Sequence, residues 1–393
     1  MRGTLNFKKP LLGALLVVVA YVAGGVGLIA CGIIDKLYLA PGWSIKGPNA
    51  KKDKSGFAAD GPVVFYHHGS LVSKRIAPVH GNLLVVVDTL RPADTLTCFV
   101  AETKQEFRVP LHSVGAVPDA VYPVAEKLVA ISDIEGNFKG LQQLLRGAGV
   151  VNERLAWQFG RGHLVLVGDF FDRGLNVTEC LWLLYKLEQE AERAGGRVHF
   201  IMGNHERMNL TGHLRYLRRK YRVSADTLKV PYQNWYDRNA LLGQWLRTKN
   251  VVERIGPTLF VHGGISPGLA ARALPLERLN ELARKSLDTP LSQLTPLEKQ
   301  VTQHPESPDW YRGLVLEEPT EAQVATVLTA YAATAMVVGH TPVERPRMLY
   351  HGKIVAIDSP HQQRTDAGEP LEALGMENGS MHLIDSKGRK SAL

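Results

Sequence analysis

From about residue 125 onward, short apolar runs recur, and almost every one is closed by a polar cluster. The runs at 128–131, 164–167, 198–202, 259–261, 336–338 and 354–357 predict strands. Residues 177–194 predict an amphipathic helix. Val177, Cys180, Leu181, Leu184, Leu187 and Ala191 fall on one face, and Gly195-Gly196 closes the segment. Strands alternating with helices of this kind predict an α/β core over 124–361. Upstream, 63–66, 83–87, 95–100 and 106–109 are β-type, and the last two flank a turn at 102–105. They predict a small β subdomain over 62–123. The stretch 41–61 is rich in Pro, Gly and Lys and is read as a linker. Residues 362–393 are read as a C-terminal strand (381–384) and a basic tail.

The N-terminus carries a different signal. Residues 10–34 contain no charged side chain, and Arg2, Lys8 and Lys9 precede them. As a helix that segment would span roughly 37 Å, enough for a bilayer. It is longer than the apolar core of a cleaved secretory signal. The expectation for 1–40 is therefore a tail and a single membrane-spanning anchor, with the rest of the chain outside the cytoplasm. Leu28-Ile29-Ala30-Cys31 offers a second route to the membrane, as a lipoprotein box acylated at Cys31.

Composition narrows the field. With 45% apolar and 21% charged residues, the 393-residue chain is globular rather than disordered. Its net charge is +8, too mild for a nucleic-acid-coating protein, and no nucleic-acid partner is expected. Three cysteines exclude both a disulfide scaffold and a zinc site of four thiolates. His67, His68 and His80 have no acidic neighbours in sequence and are read as surface residues.

The candidate chemistry lies in the clusters that end the strands. In chain order they are Asp133-Ile134-Glu135, Gly168-Asp169-Phe170-Phe171-Asp172-Arg173-Gly174, Gly203-Asn204-His205-Glu206, His262-Gly263-Gly264 and Gly339-His340-Thr341. Side chains at the carboxyl ends of neighbouring strands converge at one edge of a sheet. Mixed carboxylate, imidazole and amide donors suit divalent metals. Two such ions can neutralise an anionic phosphorus centre and supply hydroxide at neutral pH. In this order and spacing, and with Trp310-Tyr311-Arg312-Gly313 upstream of the last cluster, the segment from about 127 to 358 resembles the calcineurin-like metallophosphoesterases. The closest likeness is to their phosphoprotein-phosphatase-like branch, which includes the bacterial Shewanella-like phosphatases.

That resemblance implies a β-sandwich flanked by helices, and a phosphatase acting on phosphomonoesters, phosphoprotein among them. It implies that Asp169 bridges two metal ions, with Asp133 and Glu135 completing the first site and Asn204, His262 and His340 the second. His205 would protonate the leaving oxygen and Asp172 would orient it. Arg173, Asn204 and Arg312 would hold the phosphate. The family has Asp-x-His at the first motif, whereas here Glu135 replaces the imidazole. A carboxylate there favours Mn²⁺, with Mg²⁺, Fe and Zn left open. Two rival readings stand beside this one: a phosphodiesterase for nucleotides or lipid head groups, and a catalytically impaired, membrane-bound binding module damaged at Glu135.

Two insertions complete the reading. Residues 203–255 hold 11 Lys and Arg against 4 Asp and Glu, most of the chain's excess charge. Leu214, Leu217 and Tyr221 recur there at helical spacing, and a basic helical insert is expected at about 207–255. Trp235, Tyr236 and Trp245 are read as its core. A second, largely helical insert is expected at about 270–330.

Overall fold

The computed structural model describes residues 53–393 except 304, and before them the strands Lys36–Ala40 and Trp43–Lys46 and the positions Tyr21, Val22 and Val26. Two compact units result, 1–55 and 56–393. In the first, the two strands pair antiparallel, so part of the stretch read as a linker is a strand. The 10–34 segment read as a membrane anchor lies outside the described residues apart from those three positions. Among the described residues, no helix is long and apolar enough to cross a membrane.

In the second unit, two six-stranded sheets pack on each other. One runs in the order Arg197–Ile201, His163–Val167, Lys127–Ile131, Glu372–Glu377, Ser380–Asp385, Lys390–Ser391. The other runs Arg347–Leu349, Ile354–Ala356, Ala335–Val338, Thr258–Val261, Val252–Ile255, Val121–Tyr122. The first three strands of the first sheet are mutually parallel, as are 258–261, 335–338 and 354–356 in the second.

These strands read as unbroken apolar runs because both faces are covered. Leu128, Ala130, Val165, Val167, Phe260, Val337 and Val355 fill the layer between the sheets. Their neighbours Val129, Ile131, Leu164, Leu166, Leu259, Val261, Met336 and Ile354 belong to the outer core with the helices. The period of two divides each strand between two cores. The predicted helix forms as Val177–Arg193, with Val177, Cys180, Leu181, Leu184 and Leu187 fully buried.

Three domain expectations need correction. The strands between Asp60 and Pro110 are present, but they do not form a separate subdomain. Val63, Leu71, Ile76, Leu96, Val100 and Phe107 share one core with the helices. Trp182 donates its indole N–H to Pro62 O at 2.7 Å, and Tyr185 donates its hydroxyl to His112 O. A pair of small antiparallel sheets has too little apolar area to stand alone, so it lies against 177–193. Beyond 362, the strand expected at 381–384 forms as Ser380–Asp385, but the residues on either side of it are not simply tail. Glu372–Glu377 pairs antiparallel with Lys127–Ile131 and extends the first sheet.

The third correction is in the basic insert. One helix ends at Leu210 and the next starts at Arg219, so the spacing of Leu214 and Leu217 does not come from a helix. Trp235, Tyr236 and Trp245 are buried, as expected of a core. The second insert is helical at Leu276–Ser286, Pro296–Thr302 and Glu321–Ala330. His67, His68 and His80 are exposed.

Lys220, from the insert, is buried between Asp60 at 3.2 Å and Glu179 at 3.7 Å. Burial, opposed by Lys220 and assisted by Asp60, pushes the Glu179 carboxyl up to about 8. An acid whose folded pKa is raised contributes stability below its unfolded value, and loses it as pH rises through the folded one. This contribution should therefore fade between about pH 4.5 and 8. Glu179→Gln, an isostere of the neutral acid, should flatten the fall of urea-unfolding stability from pH 5 to pH 9. An unchanged slope would refute the assignment.

Candidate metal centre

Six strands deliver their next residues to one edge of the sandwich. Asp133, Asp169 and Asn204 follow strands 127–131, 163–167 and 197–201. His262, His340 and Asp358 follow 258–261, 335–338 and 354–356. Each sheet thus contributes three donors, all buried or nearly so. The ligand atoms of Asp169, His262 and His340 lie within 4.8 Å of one another, as do those of Glu135, Asp169 and His205.

The backbone bends sharply to bring this about. Asp133, Glu135, Asp169, Asp172, Arg173 and His340 all have positive φ, between 49° and 68°. For residues other than glycine this conformation costs on the order of 1–3 kcal/mol each, and such strain gathers at functional sites. The motif glycines serve a different need, close approach. A Cβ on Gly203 would sit 2.3 Å from Asp169 Oδ1, and one on Gly339 would sit 2.6 Å from Asp133 Oδ2.

The histidine tautomers indicate what the centre can hold. His262 Nδ1 donates to Val167 O at 2.8 Å. Its Nε2 then faces Asp169 Oδ2 at 3.1 Å and Asn204 Oδ1 at 3.0 Å. A lone pair and two oxygens turned toward one another repel unless a cation lies among them. A proton is one solution. Burial opposes it, but Asp169 and Asp133 push the His262 ring up to about 10. A divalent ion is the other. His340 Nε2 donates to Trp310 O at 3.1 Å, leaving Nδ1 as the ring's lone-pair nitrogen. An imidazole anchored through its outer N–H to a carbonyl is the usual support of a metal ligand.

The carboxylates point the same way. Burial and Asp358 hold the Asp133 carboxyl well above its usual range, and burial and nearby Asp169 help push Asp358 up to about 6. For Asp169, burial is outweighed by His262 and His205, which hold it well below. So many acidic groups in one buried site require positive charge there. The residues therefore fit divalent cations. Asp133, Asp169, Asn204, His262 and His340 are placed to hold them, with Glu135 at the margin.

Glu135 has a second partner. Its carboxylate pairs with Arg173, whose side chain stays 54% exposed. Arg312 donates through Nη1 to His340 O at 2.7 Å. His205 donates Nδ1–H to Asp172 Oδ2 at 2.7 Å, and Asn209 donates to the same oxygen at 2.9 Å. The backbone N–H of His205 reaches Asp169 Oδ1 at 2.9 Å. Burial lowers the His205 pKa, but Asp169 and the bond to Asp172 raise it more. Every site residue expected from sequence stands at or beside this edge.

Three structural roles escaped the sequence reading. Asp358 follows a strand that was recognised, but a single Asp after an apolar run is a weak signal. Glu206 accepts the backbone N–H groups of Asp169, Phe170 and Gly203 at 2.7–2.8 Å, tying two motif loops together. Replacing it by Ala would leave three buried donors unpaired, at about 1–3 kcal/mol each. Glu206→Ala should therefore lose roughly 3 kcal/mol or more of unfolding free energy, measured by urea titration. A loss under 1 kcal/mol would refute this role. The third role belongs to the insert. Arg218 donates to Arg173 O, Lys220 donates to Leu175 O, and the Tyr221 hydroxyl donates to Gly174 O. Part of the basic segment thus serves to brace the loop that carries Asp172 and Arg173.

Comparison with known proteins agrees with this geometry. The family model described as calcineurin-like phosphoesterase matches residues 126–344. The chain is 32% identical over 232 residues to an uncharacterized protein of Schizosaccharomyces pombe, covering 56% of this chain and 68% of that one. It is 27% identical over 265 residues to Shewanella-like protein phosphatase 1 of Plasmodium berghei, covering 62% and 69%. Among solved structures, the cold-active protein-tyrosine phosphatase of a psychrophilic Shewanella species superposes with a TM-score of 0.77 at 33% identity. That match covers 86% of this chain and 99% of the other. With the family matched over more than half its length, and six donors gathered at the edge of the sandwich, the chain belongs to the calcineurin-like phosphoesterases and is a metal-dependent phosphatase.

Proposed function

We propose that this enzyme hydrolyses phosphomonoesters, phosphorylated protein among them, with two divalent metal ions bound at the carboxyl edge of the sandwich. The observation that carries the reading is the His205–Asp172 pair beside the converged donors, with Arg173 and Arg312 near them. Two guanidinium groups suit the dianionic terminal phosphate of a monoester better than the single charge of a diester. The likeness to a protein-tyrosine phosphatase supports a phosphoprotein substrate.

Asp169 would bridge the ions, Asp133 and Glu135 would complete the first site, and Asn204, His262 and His340 the second. When bound, the ions supply Lewis acidity and a hydroxide at neutral pH. The protein does the rest. Arg173, Arg312 and Asn204 hold the phosphate. His205 keeps a proton at Nε2 for the leaving oxygen, because Asp172 occupies Nδ1 and favours the charged ring. The test is turnover of an aryl phosphate against a bis-aryl phosphate by the full chain with Mn²⁺. Faster hydrolysis of the diester would replace this reading with the phosphodiesterase one.

We also propose Mn²⁺ as the working metal, because Glu135 gives the first site an additional hard, charged donor. Glu135→Gln should raise the Mn²⁺ concentration needed for half-maximal activity and lower the bound metal measured by elemental analysis. Glu135→His should move the preference toward Fe or Zn. If neither stoichiometry nor preference changes, Glu135 serves Arg173 alone. The uncharged 10–34 segment supports a membrane tether. The short tail before it resembles bacterial export signals, which supports an enzyme outside the cytoplasm although lysines flank both ends of the segment. Recovery of the full chain in the aqueous fraction after cell lysis would argue against the tether.

A further inference from the structure

We propose that Tyr216 is a specificity-determining residue, the wall against which an aromatic leaving group lies, so that the site favours aryl over alkyl phosphates. The proposal rests on the phosphatase reading above and deepens it. Tyr216 lies in the non-helical stretch between the helices Asn204–Leu210 and Arg219–Leu228. The residue is half-buried rather than sealed in the core.

Three neighbours fix the ring. Its centroid lies 5.0 Å from that of His205, with the planes 43° apart. The Arg173 guanidinium lies 5.5 Å from the centroid and that of Arg215 lies 5.2 Å away. Cations at these distances from an aromatic ring are held by its quadrupole, which restrains the side chain without a hydrogen bond. Among the described residues, no other ring is in contact with His205. Trp310 lies against His340.

Position gives the ring its meaning. His205 hands its proton to the leaving oxygen, so the group attached to that oxygen must lie beside His205. In an aryl phosphate the aromatic ring is bonded directly to this oxygen. It therefore comes within reach of the residue packed on His205. An alkyl ester such as glycerol 2-phosphate presents only saturated carbon there. Offset or edge contacts between aromatic rings add attraction beyond their buried area, and an alkyl chain does not reproduce it.

The test compares the wild type, Tyr216→Leu and Tyr216→Phe in the full, Mn²⁺-loaded chain, with phenyl phosphate and glycerol 2-phosphate as probes. Tyr216→Leu should raise KM for phenyl phosphate and lower the aryl-to-alkyl ratio of kcat/KM by roughly 3- to 10-fold. Tyr216→Phe keeps the ring and should hold that ratio within about 2-fold of wild type. A ratio unchanged in Tyr216→Leu overturns the proposal. So does an equal loss on both substrates, or a larger loss on glycerol 2-phosphate, the latter meaning that Tyr216 only props His205. In either case the phosphatase reading stands, provided the wild type hydrolyses both probes. If the wild type hydrolyses neither, that reading falls and this one with it.

Discussion

Asp169→Asn is expected to lower turnover by several orders of magnitude while the protein stays folded. The carboxylate has two tasks that can be separated. Oδ1 accepts the backbone N–H of His205, and an amide oxygen can still do that. Oδ2 faces the lone-pair nitrogen of His262 at 3.1 Å, and it is the negative charge that makes this place attractive to cations. The substitution keeps the shape and deletes the charge. In the proposed bridging role, both metal sites would lose a shared anionic ligand, so bound metal should fall together with activity. With metal removed from wild type and variant alike, thermal unfolding should move little, since the buried polar shape survives. Elemental analysis, a phosphatase assay and a melting curve on one preparation decide the matter. Wild-type activity with full metal content would sink the bridging role.

The second large effect is expected from His205→Asn. General-acid catalysis contributes on the order of 10²- to 10⁴-fold. Its share depends on how badly the leaving oxygen needs a proton. Alkyl phosphates, with basic leaving groups, should lose most of that factor. Aryl phosphates with electron-withdrawing rings should lose far less. The geometry supports this assignment, because Nδ1 is committed to Asp172 at 2.7 Å and Nε2 is the nitrogen left to serve the substrate. Nε2 also lies 3.8 Å from Asp169 Oδ2, beside the donors rather than among the closest of them. Equal losses on both substrate types would assign His205 to metal or phosphate binding instead.

Local signals carried much of this protein. A strand buried on both faces is uniformly apolar, so 128–131, 164–167, 259–261 and 336–338 could be recognised one at a time. The donors sit within one or two residues of those strand ends, so Asp133, Asp169, His262 and His340 could be picked out before any strand order was known. The strand Ser70–Val79 was harder, because Lys74 and Arg75 interrupt its pattern. So was Glu372–Glu377, an interior strand with a glutamate at each end of a short apolar run.

Other features depend on residues far apart in the chain. Nothing near Glu206 in sequence reveals that it accepts N–H groups from Asp169 and Phe170. Nothing near Asp358 reveals Asp133. The sequence by itself determined the strand runs, the donor types and their order, because each depends on residues within a few positions. Only the tertiary structure decided that the early β strands share the main core, that the last strands complete the first sheet, and that Tyr216 stands against His205. Those outcomes follow from which apolar faces cover one another, and burial of that kind has no fixed spacing along the chain.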